Sequence, residues 1–269
     1  MLKTIQFEKA IMLEIIIIGA AAFFTALLTF FSGFGLGTIM APVFAIFFPI
    51  EIAIAMTALV HFANNLYKAI LVGKHADWRV LLQFGVPAFV ASFAGALVLV
   101  HIADFPPIAL YQLFGNYHEI TPVKLIIAVL LIFFTLFEVL PLAQKLTFGR
   151  DKLIVGGFLS GFFGGLSGMQ GAIRSAFLIK SGLSKEAYIA TGVLIASLAD
   201  FSRLFVYARH FAAVNFQENA LLLMIACISA FAGATIGRFA LKKVTFRSIQ
   251  ILVAVMLIII ALALGAGII

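Results

Sequence analysis

The chain reads as all-α: a polytopic transmembrane helical bundle of about eight to ten segments, built as two inverted structural repeats with broken or short helices. Three observations predict this. Of 269 residues, 64% are hydrophobic and only 11% are charged, with a mean hydropathy of +1.20. A soluble domain of this size needs far more polar surface to cover its core. Apolar runs of roughly twenty residues recur every twenty-five to thirty, long enough as helices to cross about 30 Å of hydrocarbon. Finally, the second half of the chain restates the polar landmarks of the first.

The first run, 11–32, has the flavour of a signal peptide with Ala20-Ala21-Ala22 as a cleavage site, but it continues to Phe31 and is read as a retained helix. Ser32-Gly33-Phe34-Gly35-Leu36-Gly37 interrupts it and opens a short segment, 35–48. Segment 51–72 starts at Glu51, where a carboxylate suits the helix dipole, and carries His61, Asn65 and Lys68. Trp78, between Asp77 and Arg79, reads as an interfacial anchor ahead of segment 79–101. The stretch 102–121 is the only sizeable polar one, so no room is left for a soluble catalytic or nucleic-acid-binding domain. Segment 122–143 closes the first half. In the second half, short segments 152–166 and 169–181 flank Gly164-Gly165-Leu166-Ser167-Gly168-Met169-Gln170-Gly171. Long segments 185–207, 217–240 and 247–268 follow.

A shift of 135 positions carries Ser32-Gly33 onto Ser167-Gly168, Glu51 onto Glu186, and Ile54-Ala55 onto Ile189-Ala190. The same shift carries Asn65 onto Asp200, Lys68 onto Arg203, and Lys74-His75 onto Arg209-His210. After a three-residue slip, Phe93-Ala94-Gly95-Ala96 matches Phe231-Ala232-Gly233-Ala234. Apolar matches mean little in so apolar a chain, and the polar ones carry the argument. The division expected is a first repeat at 1–143 with an outside loop at 102–121, a cytoplasmic linker at 144–151 and a second repeat at 152–269.

The formal net charge of +7 reflects Lys and Arg at segment ends, which hold loops on the cytoplasmic side. Loops 73–79, 144–152, 180–186 and 238–248 are basic, whereas 102–121 carries Asp104 and Glu119 without Lys or Arg. Basic loops fall inside if each short segment counts as one traverse, and the halves then have opposite orientation. Arg209, Lys3 and Lys9 break that pattern. If the short segments re-enter instead, the halves are parallel. Cys227 is the single cysteine, which excludes an intramolecular disulfide and a four-thiolate cluster.

Interrupted segments at equivalent places in two halves point to a transport site, because a helix that begins at mid-membrane offers free N–H groups to an anion. Close packing through small residues is the alternative. Charges in apolar segments cost roughly 2.5–3.5 kcal/mol each and need a reason. Arg174 has Gln170 one turn before it and no carboxylate within a turn, so an anionic ligand is an economical partner. Asp200 and Arg203 are three apart, hence neighbours on one face, either as a self-neutralising ion pair or as a coupling or gating pair. Lys68 reads as a snorkelling cation and His61 as a satisfied interior histidine. The candidate substrate-binding residues are Arg174, Gln170, Gly171, Gly35, Gly37, Thr38 and Asn65; Asp200 and Arg203 are the coupling or gating pair.

The chain resembles the sulfite exporter TauE/SafE (TSUP) family of membrane transporters over nearly its whole length. The first repeat contributes Gly33-Phe-Gly-Leu-Gly37, Met40-Ala41-Pro42, Glu51-x-Ala53-x-Ala55-x-Thr57 and Gly73-Lys74-His75-Ala76-Asp77-Trp78-Arg79. The second contributes Gly164 to Gly171. Ala58 stands where a serine is common, and Met169-Gln170 where paired glycines are usual; both departures bear on the substrate rather than the fold. The resemblance implies export, or less often uptake, of small sulfur-containing anions such as sulfite, sulfoacetate or other organosulfonates. It also suggests the inner membrane of a bacterium.

An inside-negative potential favours anion efflux by about 2.3 kcal/mol per charge per 100 mV, so export needs no ATP. The absence of a Walker A motif agrees with this. Alternating access at the repeat interface is the expected mechanism, with an anion channel and a non-transporting scaffold or assembly factor as alternatives. An intramembrane enzyme is disfavoured, because no segment has His-x-x-x-His or Glu-x-x-His spacing, and no cofactor or metal is expected. The expected partners are the lipid bilayer and the anion. A coupling proton and a homodimer remain open, and nucleic acid is excluded.

Overall fold

The computed structural model describes residues 2–29, 35–140, 145–210, 219–240 and 247–269. Ten α-helices and one small hairpin are present among them. They are α1 (Leu2–Thr29), α2 (Leu36–Ala45), α3 (Ile50–Val72), α4 (Trp78–Ala103), α5 (Pro122–Val139), α6 (Leu153–Ser167), α7 (Gly171–Leu178), α8 (Lys185–His210), α9 (Ala220–Ala240) and α10 (Arg247–Gly265). Helices α1, α4, α5, α8 and α9 contain stretches long and apolar enough to cross a bilayer. Helix α3 is as long, but His61, Asn64, Asn65 and Lys68 lower its hydropathy. The bundle is all-α and polytopic, as its composition predicts.

Most expected segments appear within a few residues of their predicted bounds. Helix α1 starts well before residue 11. Helix α4 begins with a π turn at Leu81–Gly85: Pro87 has no N–H to offer residue 83, and the widened turn absorbs the missing bond. Trp78 is 69% exposed, as an interfacial anchor requires. Glu51 and Glu186 stand in first turns, but the hydrogen-bonded cap of α8 is Ser184, whose Oγ accepts from Ala187 N.

The polar stretch 102–121 holds an element the sequence reading missed. Strands β1 (Ala109–Leu113) and β2 (Asn116–Ile120) pair antiparallel, Tyr111 opposite His118. The two-residue turn between them, Phe114-Gly115, has φ of 50° and 83°, the positive pair that suits a tight hairpin. Tyr111 Oη donates to Ala266 O at 2.7 Å, tying the hairpin to the end of α10.

Helix α4 packs along α6, and α1 along α9; α3 crosses α8, and α5 packs on α10. Helix α8 also lies against α4, and α3 against α9. Each of these contacts maps onto another, or onto itself, when α1–α5 are exchanged with α6–α10. The α4–α6 contact is backbone-close because α6 presents a ridge of Gly157, Gly161 and Gly165. A Cβ at Gly165 would stand 2.0 Å from Ser92 O, so only glycine fits.

Candidate functional site

Two chain breaks meet in the middle of the bundle. Gly35, with φ of +111°, precedes α2. Gly168, with φ of +81°, ends α6 in a left-handed cap, and two residues separate it from the start of α7 at Gly171. The breaks touch: a Cβ on Gly37 would lie 2.5 Å from Gly168 O. Ser32 and Gly33, the other half of the first glycine motif, lie outside the described residues.

Beside this junction α3, α7 and α8 bring their polar faces together. On α3, Thr57, His61, Asn64, Asn65 and Lys68 recur at helical spacing on one side, and all are buried. Asp200, on α8, is the hub. Its Oδ1 accepts from Arg203 Nε at 3.0 Å, Arg203 Nη2 at 2.7 Å and Gln170 Nε2 at 3.4 Å. Its Oδ2 accepts from His61 Nδ1 at 2.6 Å and Asn65 Nδ2 at 3.1 Å. An ionised carboxylate only accepts, so Nδ1 of His61 carries the proton of that bond. One carboxylate therefore joins three helices. Arg174, one turn along α7, donates from Nη1 to Gln170 Oε1 at 3.4 Å and lies within electrostatic reach of Lys68 and Asp200.

The charge balance of this cluster is uneven. Among the described residues the buried side chains of the acidic and basic types, histidine aside, are Lys68, Arg174, Arg203 and Asp200. Three basic side chains and one carboxylate thus share a low-dielectric interior, where excess charge is expensive. Arg203 Nη1 is buried and has no hydrogen-bond partner among the described residues, and it points at the Gly168 corner, where a Cβ would lie 2.8 Å from it. Asn64 and Thr57 likewise hold buried side-chain polar atoms without hydrogen-bond partners. None of His61, Asn65, Lys68, Gln170, Arg174, Asp200 or Arg203 is more than 7% exposed, so the cluster is occluded.

The residues singled out from sequence divide accordingly. Asn65, Gln170, Asp200 and Arg203 meet directly, and Arg174 joins them through Gln170. Gly37 and Gly171 border the junction, and Gly35 heads α2. Thr38 turns elsewhere: its hydroxyl donates to Glu138 Oε1 of α5 at 3.4 Å. Sequence reasoning gave His61 no partner and overlooked Glu138 and Asn64. It also overlooked Tyr207, whose hydroxyl donates to Gly165 O and ties α8 to the glycine ridge. The signal for His61 was its place one turn before Asn65; nothing marked Glu138.

The family model described as Sulfite exporter TauE/SafE matches residues 18–264. No curated protein and no solved structure matches the chain.

Proposed function

The chain belongs to the sulfite exporter TauE/SafE family, a family of membrane transporters of sulfur-containing anions and not of enzymes, and from that premise we propose that it exports a small sulfonate-like or sulfite-like anion by alternating access. The observation that carries this reading is the buried excess of cations at the junction of two broken helices. An anion entering there meets three buried basic side chains and one carboxylate, and its charge offsets that imbalance. The starts of α2 and α7, at Leu36 and Gly171, lie at the same junction, and a helix start offers N–H groups to an anion.

In this account Arg174 and Gln170 hold the anionic head, with Asn65 as a neutral donor. Asp200 binds Arg203 in the empty state and releases its guanidinium toward the anion in the loaded one, which makes the pair the gate. Thr38 acts at the edge, through Glu138. Burial of the whole cluster supports a carrier over a channel. The paired helix contacts support two repeats, 1–143 and 152–269 joined by 144–151, which rock against each other in the inner membrane of a bacterium.

The test is flux of radiolabelled sulfite and sulfoacetate into proteoliposomes. Saturable uptake that Arg174→Ala reduces at least tenfold is expected. Full-rate transport by folded Arg174→Ala sinks the assignment of the head-group site.

A further inference from the structure

On the flank of α8 next to the buried cluster, α3, α8 and α9 part to leave an apolar crevice of about 780 Å³. Phe62 and Ala63 of α3, Phe201 and Phe205 of α8, and Met224 and Cys227 of α9 line it. Its α8 wall runs from Phe201 to Ala208, about 10 Å at 1.5 Å per residue, which approaches the depth of one leaflet of hydrocarbon. The walls come from the first half of α3, the end of α8 and the first half of α9, so the crevice lies toward the end of the bundle that holds the C-terminal end of α8. At that end the exposed Arg209 holds its guanidinium 4.8 Å from the ring centroid of Phe205, itself a wall residue.

We propose that this crevice is a site for an anionic phospholipid of the surrounding bilayer, with an acyl chain between α3, α8 and α9 and the phosphate against Arg209. Walls without polar groups give water nothing to bond, so the crevice does not fill from the aqueous side. Its volume lies in the range of ligand sites, and the solvent it opens to is lipid. The cation at its rim selects the head group, because a guanidinium pairs with a phosphate through charge-assisted hydrogen bonds. A chain seated there packs on the ring of Tyr207, one turn from Arg203, and so braces the helix that carries the gate. The inference rests on these helices spanning a membrane and not on the identity of the transported anion.

Native mass spectrometry of the full chain in detergent, with added phosphatidylglycerol or phosphatidylcholine, tests this. The wild type should retain phosphatidylglycerol about fivefold more than phosphatidylcholine. Arg209→Gln, a change at an exposed position, should abolish that preference without changing monomer stability. Ala63→Trp, which fills the crevice, should reduce retention of both lipids, and the milder Ala208→Leu serves if the tryptophan variant does not fold. Equal retention of both lipids by the wild type, or retention untouched by a crevice-filling variant, overturns the proposal. So does a two-chain species that Ala63→Trp dissociates and that carries no lipid, because the crevice is then a subunit interface.

Discussion

Removing the charge of Asp200 should destabilise the protein more than any other isosteric change in the cluster. Asp200→Asn keeps the shape, and Asn65 and His61 can reorient their polar atoms to suit an amide. The guanidinium of Arg203 cannot adapt in this way: it is 0% exposed and loses the carboxylate bonded to it among the described residues. Breaking a buried ion pair on one side costs about 3–5 kcal/mol. Gln170→Leu and Asn65→Leu each remove one donor to that carboxylate, a bond to a charged group worth about 1.5–3 kcal/mol, and should cost less than Asp200→Asn. The neutral double variant Asp200→Asn/Arg203→Gln should recover about 2–3 kcal/mol of the loss, a coupling typical of residues in contact. Unfolding in mixed sodium dodecyl sulfate micelles, followed by helicity, measures all four. If Asp200→Asn unfolds like Gln170→Leu, or the double variant is weaker than the single one, the buried pair is not what holds α3, α7 and α8 together.

Three further expectations can be checked in parallel. Gly161→Leu should weaken the α4–α6 contact by at least 1–3 kcal/mol, the usual cost of overpacking, because even a Cβ there would stand 2.2 Å from Ala88 O; the same micelle titration reads it. Tyr111→Phe removes the bond from the hairpin to Ala266 O and should cost about 1 kcal/mol of thermal stability while leaving transport unchanged. Gln170→Ala should raise the KM for anion flux several-fold, whereas Thr38→Val, at a side chain that donates to Glu138, should change it less than twofold; a larger effect of Thr38→Val would bring that hydroxyl into the binding site.

Much of the site was legible because membrane helices advertise their polar residues. Asp200 and Arg203 stand three apart in an apolar run, and an i,i+3 pair needs no tertiary knowledge. The 135-residue shift that lays Asn65 on Asp200 also predicted that α3 and α8 are counterparts. Their side chains do meet, Asn65 Nδ2 to Asp200 Oδ2. The bond between His61 and Asp200 spans 139 positions and depends on the crossing of two helices, which no local pattern encodes. Glu138 sits near the end of an apolar run and reads as a boundary residue until α2 places Thr38 against it. The hairpin at 109–120 was hidden by its short strands and its Phe-Gly turn, which lacks the usual Asn-Gly signal. The π turn in α4 needed the position of Pro87 to be weighed against a helix that continues past it.

The central claim is that an occluded cationic cluster carries one anion at a time between two faces. Counterflow tests it most directly. Proteoliposomes are loaded with unlabelled sulfite, or in parallel with sulfoacetate, then diluted into a trace of the labelled anion, with the membrane potential clamped at zero. A transient overshoot of labelled anion, absent in Asp200→Asn/Arg203→Gln liposomes, is the result this account predicts. Label that rises monotonically to equilibrium with no overshoot, from folded protein that conducts the anion, would contradict it and make the pathway a channel.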